Sequence, residues 1–485
     1  MQTDTARHKV VIIGGGVSGL AAGVFLAKNG FDVQLFEANS KLGGCCATTT
    51  VDGYVFNDGA VYLTLVGVLD RVFAKLGLDR AELVPLRKIT ANFSATLLDG
   101  AVVTLGEGLD LRVEGRSIDK TQLRDELQSM MEKWGPVLRL VTEHIVPYPF
   151  SPWRMLRKGW RHLHRFRGTL ASEMYHLFVE DAVRAALSGA TLYSGLPSDR
   201  APAYTILGLV AMMSEGFYLP EGGIGRIPQV LGAALERHGG KVFLNSQAEK
   251  IIIENGRVCG VEINGHGRAD ATAVISTASP MLTFTSLVDA EKVPSGTKRR
   301  VLDARLSHRA VSVQFGLRNT IRARGHLNMV LPPMERQQEI FIQEENEVRF
   351  PVYYVPTVTM PELAPHAGSI IEMFHPISQE MPAEDWNDSR KEQLAQSALR
   401  TLRQTYDLDV AVTRVRSPKD FTDGMHLYEG ALYGLSPAAG PLELFAHTSQ
   451  IPGLFFAGQS TYPGYGVATS AMSGVFAAEG LMERT

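Results

Sequence analysis

The chain has 485 residues, of which 45% are apolar and 20% charged, with a formal net charge of −3. These values exclude a disordered polymer and give no basic excess for a nucleic-acid partner. No apolar run approaches the roughly 18 residues of a membrane span. The length suggests two or three domains. The N-terminal stretch has no apolar signal region, and three cysteines (Cys45, Cys46, Cys259) make no disulfide framework, so a cytoplasmic location is expected.

The first motif begins at Lys9. An apolar run, Val10 to Ile13, meets Gly14, Gly16 and Gly19 in a G-x-G-x-x-G spacing, followed by an alanine-rich helical segment and a second apolar run, Val33 to Phe36, ending at Glu37. Such a β-α-β unit holds a dinucleotide. Gly14 permits the turn, Gly16 admits the pyrophosphate to the backbone, and Gly19 lets helix and strand pack closely. The helix start offers unpaired N–H groups, and Glu37 is spaced to accept from ribose hydroxyls. A glycine pair (Gly43, Gly44) after Lys41 again lets backbone pass close to a ligand, with Lys41 facing phosphate or adenine.

Thr48 to Phe56 reads as a strand, and a helix closes near Leu78. Two strands, Ile89 to Leu98 and Ala101 to Leu105, precede a long helix over 119–141. Trp153 to Arg167 carries six basic residues (Arg154, Arg157, Lys158, Arg161, Arg165, Arg167) and no acidic one. Trp153, Leu156, Trp160, Leu163 and Phe166 recur there every three or four positions. This basic amphipathic helix suits either an anionic membrane surface or packing on its own domain. Ala201 to Met213 is the most apolar helical stretch. After a helix over 227–237, strands are expected at 241–245, 249–254 and 257–263, the last two joined at Asn255-Gly256, then at 273–277. Later strands fall at 311–317, 339–342 and 370–374, a polar helix at 388–406, and a strand at 454–457 before a glycine-rich loop and final helix. There is no metal-ligand spacing, no nucleophile motif and no second strand-associated glycine fingerprint for a separate nicotinamide domain.

Three separated segments fit one family: the N-terminal unit with Gly43-Gly44, the block EGGIGRIPQVL to GGKVFLNSQAEKI, and FFAGQSTYPGYGVATSAMSG. Together they resemble the flavin-dependent desaturases, isomerases and saturases of polyenes, within the amine-oxidase-like superfamily. The resemblance implies an α/β fold: a discontinuous Rossmann-like FAD-binding domain (1–80, 218–282, 420–485) with an inserted α+β substrate domain (81–217, 283–419). It implies FAD held by Gly14, Gly16, Val17, Ser18 and Gly19 at the pyrophosphate and by Glu37 and Ala38 at the ribose. Lys41 stands where relatives commonly carry arginine. Gly43, Gly44, Cys45, Ala60 and Val61 would approach the ribityl chain and ring, and Ala248 the adenine through its backbone. Gln459 after Gly458 replaces an aspartate of many relatives. Gly466, Val467 and Ala468 would open the last helix at the flavin.

The expected activity is an FAD-dependent oxidoreductase desaturating a hydrophobic polyene or isoprenoid-type substrate. Isomerisation or saturation is a variant on the same scaffold. An amine or amino-acid oxidase, and a lipid-binding protein of the Rab GDP-dissociation inhibitor type, are the rival readings. Tyr462 and Tyr465 are candidates to flank the flavin, with Tyr465 the catalytic candidate. Among Glu180, Asp181, Glu215 and His308 no proton carrier is singled out.

Overall fold

The apolar tetrad Val10–Ile13 forms the middle strand of a five-stranded parallel sheet in a computed structural model that describes residues 8–343, 347–365, 367–378 and 381–484. Its spatial order is Lys241–Phe243, Asp32–Phe36, Lys9–Ile13, Ala273–Ser276 and Leu454–Phe456. Ile12 lies level with Leu35 on one side and Ile275 on the other. Both faces of such a sheet are covered, so its strands read as continuous apolar runs rather than alternations. The helix Val17–Lys28 is apolar all round because the helices Arg226–Arg237 and Val467–Met482 both pack against it. Small residues permit this: a Cβ on Gly474 would fall 2.0 Å from the Ser18 carbonyl oxygen.

A second sheet has eight strands in the order Val410–Arg416, Arg309–Leu317, Ser369–Ile377, Val352–Tyr354, Leu327–Leu331, Phe93–Leu97, Val102–Leu105 and Leu111–Glu114. Every pair is antiparallel except Leu327–Leu331 with Phe93–Leu97. It draws strands from before and after the central nucleotide segment. The hairpin Ala248–Glu254 and Arg257–Ile263, turning at Asn255 (φ 50°) and Gly256 (φ 71°), extends into a three-stranded meander with Gly267–Asp270.

Several expected elements differ. Residues 48–56 are not one strand but a hairpin, Thr48–Val51 and Tyr54–Asn57, because Asp52 and Gly53 both take positive φ. The stretch 89–98 is divided: Leu86–Ile89 pairs with Phe217–Pro220, whereas Phe93–Leu97 joins the large sheet. The segment 339–342 is not a strand: its first three residues end the 3₁₀ helix Met334–Phe341, where Gln337 and Ile340 are buried three residues apart. The basic stretch is an α-helix only over Pro152–Gly159, capped by the Ser151 hydroxyl, and continues as 3₁₀ over Trp160–Phe166. Among the described residues no helix is long and apolar enough to cross a membrane.

Candidate functional site

The turn after the first strand is built as a phosphate cradle. Gly14 sits at φ +99°, and a Cβ on Gly16 would meet nothing within 4 Å, so open space adjoins the helix start. Gly16 caps Val17–Lys28 without a side-chain hydrogen bond, and the first turn holds no acidic residue. The helix N–H groups and positive dipole end are therefore left for an anion. The backbone N–H of Gly43 (φ +129°) donates to the Gly15 carbonyl at 2.9 Å, drawing the second glycine pair beside the first. Glu37 is buried at the end of the second strand. Its Oε2 accepts from the Gly15 N–H at 2.7 Å, and its Oε1 accepts from the Asn39 N–H and Nδ2, each at 2.8 Å. These donors fix the carboxylate where ribose hydroxyls would reach it.

Gly14, Gly16, Val17 and Ser18 line one cavity of about 650 Å³ together with Glu37, Ala38, Gly43 and Gly44. The same cavity takes in Cys45, Ala60 and Val61, then Ala248, Gly458 and Gln459, and finally Tyr465, Gly466 and Val467. Five stretches of sequence far apart in the chain thus share one wall. The last helix, Val467–Met482, begins at Gly466 (φ +112°) with no side-chain cap and no acid in its first turn, a second uncapped N-terminus facing the same space. An open cradle and two unfilled helix starts match what a dinucleotide with a pyrophosphate and an electron-rich ring requires.

Four of the expected contacts lie elsewhere. Gly19 packs instead of lining: a Cβ there would sit 2.1 Å from the Gly14 carbonyl oxygen. Ala468 is buried one residue inside the last helix. Lys41 turns away from the cavity because a buried carboxylate claims it, its Nζ lying 2.7 Å from Asp58 Oδ2. Tyr462 is buried with its hydroxyl donating to the Ile145 carbonyl at 2.7 Å, and only Tyr465 of the two tyrosines reaches the cavity.

Asp58 anchors a polar cluster beneath the cradle. Arg414 Nη2 lies 2.9 Å from Oδ1, and Arg416 Nη1 donates to the Asp58 carbonyl at 2.9 Å. Burial alone would raise the Asp58 carboxyl. The Lys41 hydrogen bond and the two guanidinium charges more than offset that and hold it below its ordinary range. Cys45 faces the cavity, yet burial pushes its thiol up to about 11, so it stands as a neutral thiol.

Beyond the cradle the cavity is walled by rings. Tyr62 stacks on Phe217 at 4.4 Å, and Tyr433 lies 4.8 Å from Tyr465 and 5.6 Å from His308. Tyr193 and Tyr354 complete this chamber, with Leu138, Val141, Leu207 and Ala211 between them. Desolvation raises the phenols of Tyr62, Tyr433 and Tyr465 and holds them protonated. Of the four possible proton carriers, His308 alone lines the cavity. Glu180, Asp181 and Glu215 do not, and Asp181 instead pairs with Arg116 at 2.6 Å. Tyr62, Tyr193, Tyr354 and Tyr433 also line this chamber and carry no local spacing by which they could be picked out.

A dinucleotide cradle at the strand ends of a parallel sheet, opening into a ring-walled chamber beside a second sheet, defines an FAD-dependent flavoprotein oxidoreductase. The chain belongs to the family of flavin containing amine oxidoreductases, which it matches over residues 17–482. It is 26% identical over 500 residues to the zeta-carotene-forming phytoene desaturase of Myxococcus xanthus, covering 99% of this chain and 95% of that protein. A 4,4'-diapophytoene desaturase of Staphylococcus haemolyticus is 25% identical, with 98% of each chain covered. Among solved structures, an oxidoreductase from Methanosarcina mazei superposes with a TM-score of 0.65 at 18% identity, over 98% of this chain and all of that one. A putrescine oxidase variant gives 0.63 at 15% identity, with 99% of each chain covered.

Proposed function

We propose that this enzyme desaturates a hydrophobic polyene or isoprenoid-type substrate, with FAD as its electron acceptor. The observation that carries this reading is the continuity of one cavity from the glycine cradle into the ring-walled chamber. FAD, when bound, supplies the two-electron acceptor for C–H oxidation. The protein's part is positional. Gly14, Gly16, Val17 and Ser18 would hold the pyrophosphate, Glu37 and Ala38 the ribose, and Ala248 the adenine. Gly43, Gly44, Cys45, Ala60, Val61, Gly458, Gln459, Gly466 and Val467 would approach the ribityl chain and ring. Tyr465 stands at the junction of the two regions, where it would orient the reacting carbons. The aliphatic and aromatic walls of the chamber would exclude water from the reacting carbons. The segments 1–80, 218–282 and 420–485 would act as the FAD-binding domain, and 81–217 with 283–419 as the substrate domain.

A peripheral membrane contact fits the same reading. Trp153 is 74% and Trp160 59% exposed, with Leu156 and Leu163 also outward, whereas Phe166 lies 6.0 Å from the Tyr204 ring. Arg154, Arg157, Lys158 and Arg161 accompany them. The chain reaches this helix from Leu138, Val141 and Thr142, which line the cavity. A lipid-soluble substrate would thus enter from an anionic leaflet beside the chamber.

The test is anaerobic bleaching of the flavin visible band in the purified holoprotein, with acyclic polyene precursors in one series and primary amines in another. Bleaching by polyenes, with a product carrying additional conjugated double bonds, is the expected result. Bleaching by amines alone would overturn the reading in favour of an amine oxidase.

A further inference from the structure

The cluster around Asp58 carries more positive charge than its carboxylate neutralises. Asp58 faces Lys41 Nζ at 2.7 Å, Arg414 Nη2 at 2.9 Å and Arg416 Nη1 at 3.4 Å. Lys41 is exposed and its charge is screened, whereas the two guanidinium groups are half-buried. Two further carboxyls act on the cluster, and both are engaged elsewhere. Glu372 accepts from Asn57, and Asp420 is taken by Lys391 at 2.8 Å and by the Ser417 N–H and hydroxyl. A guanidinium does not give up its proton in a protein, so the surplus is permanent.

That surplus lies directly behind the cavity wall. Arg416 donates to the Asp58 carbonyl at 2.9 Å, and its guanidinium carbon lies 4.8 Å from the centre of the Phe421 ring. Asp58 and Phe421 both line the cavity. The Arg416 charge also acts on the Cys45 thiol in the same wall, pulling it down against burial. The Ala60 N–H donates to the Cys45 carbonyl at 2.8 Å, so Cys45, Asp58 and Ala60 form one continuous patch. Burial draws the Arg416 guanidinium below its ordinary value despite the Asp58 charge, the sign of a cation short of counter-charge. Carbonyl and ring fix the planar group in place, so its charge stays behind the wall.

We infer that Arg416, supported by Arg414, raises the reduction potential of the FAD by stabilising the negative charge that the flavin ring gains on reduction. This rests on the ribityl chain and ring lying along Cys45, Ala60 and Val61, as in the reading above, and not on the identity of the substrate. A hydride leaving carbon carries two electrons and one proton to the neutral ring, which thereby gains one negative charge, while the neighbouring carbon loses a proton to the medium. A fixed cation in a water-poor wall favours that charge without having to reorganise. For a C–H donor that yields its hydride reluctantly, a flavin of raised potential is the stronger acceptor.

The experiment is the two-electron midpoint potential of the purified FAD-loaded protein, measured without substrate by equilibration with reference dyes at one fixed pH. A unit charge acting over about 10 Å at an effective dielectric of about 20 shifts an equilibrium on the order of tenfold. Arg416→Gln should therefore lower the potential by about 30 mV, the equivalent of tenfold for a two-electron couple. Arg414→Gln should act in the same sense, and it carries the test if Arg416→Gln does not retain flavin. Arg416→Lys keeps the charge and should recover at least about half of the shift. Asp58→Asn removes the anion and should move the potential upward. Arg112→Gln deletes a charge from an exposed strand and should leave the potential unchanged. Disruption of the wall would move the Arg416 and Asp58 variants in one direction, so opposite signs isolate the charge. An unaltered potential in the arginine-to-glutamine variants, an equal drop in Arg416→Lys or in Arg112→Gln, or a drop in Asp58→Asn would overturn the inference. Because no substrate enters the measurement, failure of polyenes to bleach the flavin would overturn the substrate reading alone.

Discussion

The backbone N–H and the side-chain Nδ2 of Asn57 both donate to the Glu372 carboxylate, at 2.6 and 3.0 Å, across 315 residues of sequence. Asn57 ends the hairpin beside the cradle, and Glu372 is fully buried in the eight-stranded sheet. The Asn57 carbonyl accepts from Gln314 Nε2 at 2.6 Å, and Arg414 joins Gln314 to Asp58. The two sheets are therefore fastened by polar contacts immediately behind the cavity. Such contacts have preferred directions, so they fix the relative placement of cradle and chamber in a way apolar packing alone does not.

Glu372 should make stability depend on pH. Burial pushes its carboxyl up to about 7, against the pull of the Asn57 donors. A folded value above the unfolded one means the native state keeps its proton longer, so stability from this group is lost as pH rises from 4.5 to 7. Glu372→Gln should gain on the unaltered protein over that window, by up to about 3 kcal/mol. Thermal unfolding at several pH values measures it, and a pH-independent difference would count against the assignment.

The buried histidines act with opposite sign. Desolvation lowers His308, His326 and His375 to about 4, so they are neutral in the folded protein and take up protons on unfolding. Their contribution is complete above pH 6.5 and is lost as pH falls toward 4. Three such groups outweigh one glutamate, so denaturant midpoints should drop steeply on acidification below 6.5. His375→Leu should flatten that slope, and an unchanged slope would refute the role of His375.

Asp58 and Lys41 separate a buried charge from an exposed one. The Asp58 side chain is 6% exposed and neutralises Lys41, Arg414 and Arg416, whereas the Lys41 side chain is 45% exposed. Asp58→Asn should cost on the order of 3–5 kcal/mol, because the half-buried guanidinium groups of Arg414 and Arg416 lose a buried counter-charge. Lys41→Ala should cost about 1 kcal/mol or less. Urea unfolding of the two variants checks the ranking, and comparable losses would contradict it.

Two glycines of the last helix should behave oppositely. Gly474→Ala would drive a methyl into the Ser18 carbonyl and cost about 1–3 kcal/mol while displacing the cradle helix. A Cβ on Gly480 meets nothing within 4 Å, so Gly480→Ala should be neutral or stabilise by up to about 1 kcal/mol. Melting temperature and flavin content, measured on both, should fall together only in the first.

Membrane contact is read by co-sedimentation with anionic vesicles. Trp153→Ala with Trp160→Ala should reduce bound protein at any salt. Replacing Arg154, Arg157, Lys158, Arg161, Arg165 and Arg167 with glutamine should act mainly at low salt, where surface attraction is least screened. Full binding by both sets would exclude this face as the anchor.

Local patterns carried the nucleotide unit. The run Val10–Ile13, the spacing of Gly14, Gly16 and Gly19, and Glu37 after the next strand are all set by neighbours in sequence, and so were legible in it. So was the Asn255-Gly256 hairpin. Periodicity failed where a turn or a long-range pairing intervened. Asp52-Gly53 folds what reads as one strand, and Phe93–Leu97 is held by Leu327–Leu331 more than 200 residues away. Lys41 was misplaced because its partner Asp58 becomes buried only when Arg414 and Arg416 arrive from the other sheet.

By itself the sequence determined the cradle at Gly14 to Glu37, since a set of free backbone N–H groups needs only a local run of glycines and a helix start. What the tertiary structure alone decided is the chamber. Tyr193, His308, Tyr433 and Tyr465 have no shared spacing, and they meet only because two sheets, joined through Asn57 and Glu372, bring distant strands and turns around one desolvated space.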